Sequence, residues 1–129
     1  MEHTGELEVE IEAPTEQGVF EDGFEAMREL LGGAGGPGDA PARSREVSLA
    51  GTDRAALLAE WLAELAFIAE SEGLVPERLA ALELAEDGLR AVVEGSEGAP
   101  PHLVKAATYH RLALERSENG WRATVVLDV

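Results

Sequence analysis

The chain has no cysteine, one lysine (Lys105) and only 10 basic residues in all. Without cysteine there can be no disulfide, no thiolate nucleophile and no zinc–cysteine site. The shortage of bases argues against nucleic-acid binding, because affinity for a phosphate backbone comes largely from cations that displace its counterions. No apolar run approaches the roughly 20 residues that a membrane helix needs. The first ten residues, MEHTGELEVE, have neither the basic start nor the apolar stretch of a signal peptide. The expectation is a soluble, cytoplasmic protein that binds neither membrane nor bare nucleic acid.

Acid is what the chain has in excess. Asp and Glu number 26 and the formal net charge is -16. Such a surface suits a basic protein partner or hard cations, although solubility alone is the plainer reading. A length of 129 residues fits one domain, residues 1–129, with one modest core.

Leu7, Val9, Ile11 and Ala13 alternate with Glu6, Glu8, Glu10 and Glu12, the pattern of a strand with one solvated acidic face. Thr15 is placed to cap a helix, and Val19, Phe20, Phe24, Met27, Leu30 and Leu31 follow at helical spacing. A glycine-rich stretch then runs to about Ala42. It follows a helix and precedes a strand, the reverse of a phosphate-cradling loop, so it reads as a linker. Ser44 to Ala50 reads as a strand. Gly51-Thr52-Asp53 supplies a turn and a cap for a second helix from Arg54 to about Glu72, with Leu57, Leu58, Trp61, Leu62, Leu65 and Ile68 on its apolar face. Arg78 to Glu86 and Leu89 to Glu94 read as a hairpin around Asp87-Gly88. The order predicts an α+β fold: one mostly antiparallel or mixed sheet of about six strands, with two helices packed on one face.

The last stretch, Leu103 to Val129, reads as a second hairpin turning at Asn119-Gly120. That turn would pair Leu114 with Val125, Leu112 with Leu127 and His110 with Val129, and set Arg111 across from Asp128. Lys105 would then lie about 20 Å along the strand from Arg111, out of reach of Asp128 unless a bulge or another strand intervenes. Asp128 and the terminal carboxylate of Val129 sit side by side, with Glu6 as a further candidate. Oxygen-only donors select calcium, magnesium or manganese over zinc. A simple Asp128–Arg111 salt bridge is the plainer alternative. His3, His102 and His110 have no zinc-motif spacing, and no serine or cysteine triad can be argued.

Four segments resemble, in matching order, the motifs of a known family. They are His3-Thr4-Gly5-Glu6, the helix LLAEWLAELAFIAESEG (residues 57–73), Val104-Lys105-Ala106-Ala107-Thr108-Tyr109-His110, and the ending Val126-Leu127-Asp128-Val129. The family is archease, activator of the RtcB-type tRNA-splicing RNA ligase. The resemblance implies an α+β fold and a non-catalytic protein cofactor. Its partner would be the ligase, whose GTP-dependent guanylylation and multiple turnover it promotes. It also implies a divalent metal, calcium first, held by Glu6, Asp128 and Val129, with Glu6 standing where the family has aspartate. Lys105, His3 and His110 would serve partner activation. Two other readings stay open: a metal-dependent hydrolase using Asp128, Glu6 and His110, and an acidic interaction module without a metal.

Overall fold

The computed structural model of the chain describes residues 5–32, 42–98 and 104–129. Eight elements follow in the order β1 (Glu6–Ala13), α1 (Glu16–Gly32), β2 (Ala42–Ala50), α2 (Arg54–Ser71), β3 (Leu74–Ala85), β4 (Gly88–Glu97), β5 (Ala106–Ser117) and β6 (Gly120–Asp128). This is the expected α+β order, but the strands do not form one sheet. They form two antiparallel three-stranded sheets, β1-β6-β5 and β2-β4-β3. The predicted six-stranded sheet is therefore corrected. The helices bridge the pair: α1 packs on β1 and β6 of the first sheet and β3 of the second, and α2 on β5, β2 and β3.

Each helix is fixed by local chemistry. Thr15 Oγ1 accepts from the Gly18 N–H at 2.9 Å, and Asp53 Oδ1 accepts from the Ala56 N–H at 3.1 Å, satisfying donors that a helix start leaves unpaired. Gly73, at φ 69°, follows the end of α2 in the left-handed conformation that glycine adopts without strain. The apolar stripes meet in one core. Phe20, Phe24 and Met27 of α1 and Leu57, Leu58, Trp61, Leu62, Leu65 and Ile68 of α2 are all essentially inaccessible. The Trp61 indole N–H is satisfied by the Phe20 carbonyl at 2.9 Å, so this buried polar atom carries no desolvation penalty. Ile11, Ala123, Val125 and Leu127 close the core from the first sheet; Val47, Leu74, Leu89 and Val93 close it from the second.

Both hairpins turn one residue earlier than the glycine signal predicts. Ser117 pairs with Gly120 and Ala85 with Gly88, so the turn residues are Glu118-Asn119 and Glu86-Asp87. The glycines open the returning strands instead. Their role is close approach: a Cβ on Gly120 would collide with the backbone of Ala13 and Pro14, and one on Gly88 with that of Leu49 and Ala50. β3 starts at Leu74, earlier than predicted. Its two register shifts, after Pro76 and after Leu79, lie on an edge strand, where a residue without an N–H is tolerated.

Candidate functional site

Strand β6 runs down the middle of the first sheet and places Asp128 between two neighbours. Glu6 of β1 is its register partner on one side and Ala106 of β5 on the other. Gly5 and Val129 exchange both backbone hydrogen bonds, at 3.3 and 3.0 Å. The next pair, Glu6 and Asp128, is therefore of the non-hydrogen-bonded kind, with Cα atoms about 4.5 Å apart and side chains at their closest. The Lys105 N–H donates to the Asp128 carbonyl at 2.7 Å. Gly5-Glu6, Lys105-Ala106 and Asp128-Val129 thus share one end of the sheet, although they come from three separated parts of the chain.

The predicted pairing of the last hairpin is corrected. Leu114 pairs with Ala123 and Ala113 with Thr124, two residues from the expected register. Thr108 pairs with Val126, so β5 advances five residues where β6 moves two. His110 lies in this bulge rather than opposite Val129. It is exposed, its N–H donates to Thr108 Oγ1 at 3.3 Å, and it stands four residues along β5 from Ala106. Arg111 does not face Asp128. Its guanidinium meets Glu8 at 3.1 Å, which removes the predicted Asp128–Arg111 salt bridge. His3 and His102 lie outside the described residues.

Cations hold some of the acids on this outer face and not others. Glu8 pairs with Arg111, and Glu12 with Arg122 at 3.1 Å. Among the described residues Glu6 and Asp128 have no ion-pair partner within 4 Å. Two carboxylates directly opposite each other on neighbouring strands repel. A divalent cation would relieve that repulsion, and the donor set is all oxygen, so the residues present fit a hard metal. Among the described residues no three His, Cys, Asp or Glu side chains cluster to hold one. A cation at Glu6 and Asp128 would therefore draw on main-chain oxygens such as those of Val129, or on water.

Lys105 is exposed, and its main chain adjoins Asp128. Lys105, Ala106 and Ala107 also form one wall of an open trough of about 620 Å³; Ser48, Leu49 and Ala50 form the other, and α2 forms the floor. The trough marks where the two sheets part. Phe67 lies in it and is 52% exposed, a large apolar side chain left at the surface next to Lys105. Sequence reasoning missed the Glu8–Arg111 pair. Glu8 reads as one of several solvated glutamates, and nothing in the spacing marks the bulge that brings Arg111 to it.

Among the described residues no helix is long and apolar enough to cross a membrane. The Archease protein family matches the chain over residues 1–129. A protein of Methanosarcina acetivorans named Protein archease is 31% identical over 138 aligned residues, covering 100% of this chain and 93% of that protein. Its namesake in Methanopyrus kandleri is 30% identical, covering 100% and 96%. The crystal structure of a Thermotoga maritima protein, described as an archease and possible chaperone, has the same fold: its TM-score is 0.70 at 20% identity, covering 100% of this chain and 94% of that one. The chain belongs to the archease family.

Proposed function

We propose that this protein is a non-catalytic activator of an RtcB-type tRNA-splicing RNA ligase, promoting its GTP-dependent guanylylation and repeated turnover. Glu6, Asp128 and Val129 hold a divalent cation, calcium first, with magnesium or manganese as alternatives. Lys105, with His110 and His3, addresses the ligase. The observation that carries the reading is the meeting at Asp128: Glu6 across from it on one side, Lys105 bonded to its carbonyl on the other. The three segments with motif resemblance in the strands would then act as one surface.

When bound, the cation would neutralise the paired carboxylates and offer coordination positions to a partner acid or phosphate. Calcium's wide, flexible shell tolerates the longer reach of a glutamate at position 6 better than magnesium's strict octahedron. Lys105 contributes a compact, hydrated ammonium to the same surface. The protein supplies position and charge rather than a nucleophile. A small acidic tip of this kind suits a cationic nucleotide pocket on the partner.

Reconstitution tests this directly. Guanylylation and multiple-turnover ligation by the ligase are measured with and without the protein, and with Asp128→Asn. Stimulation by the parent and its loss in the variant support the reading. An unstimulated ligase overturns it, and so does hydrolysis of cyclic-phosphate RNA by the protein alone. Calcium titration by calorimetry tests the metal separately, with Glu6→Gln and Asp128→Asn as the variants that lose binding.

A further inference from the structure

Arg111 is the one residue other than glycine, among those described, with a positive φ, 57°. A side chain disfavours that conformation, which an arginine adopts only where its surroundings hold it. It occurs inside the bulge of β5, between Thr108 and Ala113. If the register on the turn side of the bulge ran on unbroken, Tyr109 would face Asp128. Lys105 would then lie four residues further on, about 13 Å away at 3.3 Å per residue. The three extra residues of the bulge instead bring Ala106 opposite Asp128 and the Lys105 N–H onto its carbonyl.

A contact crosses the sheet at the bulge. The Arg111 guanidinium on β5 reaches Glu8 on β1, with β6 between them. The β6 residue in that row is Val126, register partner of both Glu8 and Thr108. Val126 belongs to the outer face, alternating with the core residues Val125 and Leu127, and lies outside the main core cluster. It is nonetheless wholly inaccessible. The ion pair thus spans the strand whose Val126 is register partner to Glu8 on one side and to Thr108, at the start of the bulge, on the other.

We propose that Arg111 is a positioning residue: held at positive φ by its ion pair with Glu8 across β6, it fixes the bulge that sets Lys105 against Asp128. The consequence for activity rests on the functional reading above, in which Lys105 addresses the ligase. The structural part does not.

Amide hydrogen exchange read by NMR on the full chain separates the two. Arg111→Ala removes the pair but keeps the backbone penalty, Glu8→Ala removes the pair from the other side, and Arg111→Gly removes both pair and penalty. In the first two, exchange at the Lys105 amide should quicken about tenfold or more, while that at Glu115, on the turn side of the bulge, stays within about twofold. Arg111→Gly should recover most of the Lys105 protection, because glycine accepts positive φ freely. Unchanged protection of Lys105 in the alanine variants overturns the proposal, as does equal acceleration at Glu115, which would mean general loosening. Arg111→Gly exchanging as fast as Arg111→Ala overturns the role given to the backbone. If the parent fails to stimulate the ligase, the functional reading fails while the Lys105 exchange rates still decide the role of Arg111. If it does stimulate, the two alanine variants should lose stimulation and Arg111→Gly retain it.

Discussion

Asp128 is held by its neighbours' backbones and left exposed to repulsion by their side chains. The Glu6–Asp128 pair sets two carboxylates face to face across a narrow strand pair with no cation within 4 Å among the described residues. Such an arrangement costs the metal-free protein stability, typically a few tenths to about 1 kcal/mol for a like-charged cross-strand pair. Glu6→Gln should therefore raise the melting temperature of the metal-free protein while abolishing any rise on adding calcium. A Glu6→Gln protein that is less stable than the parent without metal would show that the pair is not repulsive. Lys105 is the complementary case. Its backbone N–H, not its ammonium, makes the bond to Asp128, so truncating the side chain leaves that bond in place. Lys105→Ala should change stability by less than about 0.5 kcal/mol, as for an ordinary surface change, while sharply reducing stimulation of ligase guanylylation. Chemical denaturation and a guanylylation assay on the same sample separate the two effects. A folded variant that stimulates as well as the parent removes Lys105 from the site.

At the scale of elements, ends and edges are where charge is placed. Glu72 follows the last turn of α2, at the negative end of the helix dipole where a carboxylate is disfavoured. Arg45 of β2 offsets this through a two-pronged contact, Nε to Oε1 at 3.0 Å and Nη2 to Oε2 at 3.1 Å. That hydrogen bonding, with the charge of the guanidinium, holds the Glu72 carboxyl below its ordinary range although partial desolvation pushes the other way. The stabilisation is therefore complete above the ordinary glutamate value and is lost as pH falls through the depressed one. Glu72→Gln should melt below the parent near neutral pH, and the gap should close as the pH is lowered; a gap independent of pH would assign the contact to packing rather than charge. The elements themselves were legible in the sequence, because helical and alternating patterns carry a period. Phe20, Phe24 and Met27 announced α1, and the Leu7-to-Ala13 alternation announced β1. The registers were less legible. Asn119-Gly120 and Asp87-Gly88 look like turn centres, but both glycines are required by a neighbouring backbone, a long-range cause that local spacing does not record. The bulge at Arg111 left no mark at all, since arginine is an ordinary strand residue until something holds its φ positive. Of the candidate site, the approach of Glu6 to Asp128 could be expected from the sequence, but its other pairing could not: the arginine expected against Asp128 went to Glu8.

For the whole molecule, the break into two sheets has a simple cause that the alternating patterns do not show. A strand with one apolar face reads the same whether its edge is paired or stands beside a helix. Here α2 lies beneath the opening between β2 and β5, and both helices pack against strands of the two sheets in one shared core. Outside that core the surface is overwhelmingly acidic, with a net charge of -16. The cations that exist are largely committed: Arg28, Arg43, Arg45, Arg54, Arg78, Arg111 and Arg122 each lie within 4 Å of a glutamate. A phosphate backbone approaching any face meets a negative field without the row of free bases needed to displace its counterions. The isolated protein should therefore show no binding to bare RNA at physiological salt, with or without a cyclic phosphate end. Fluorescence anisotropy with a labelled tRNA-half oligonucleotide checks this, and saturable binding in the micromolar range would contradict it. The same titration repeated with the ligase present gives the complementary result: any RNA retained with the protein should then depend on the ligase and follow the salt dependence of the ligase alone.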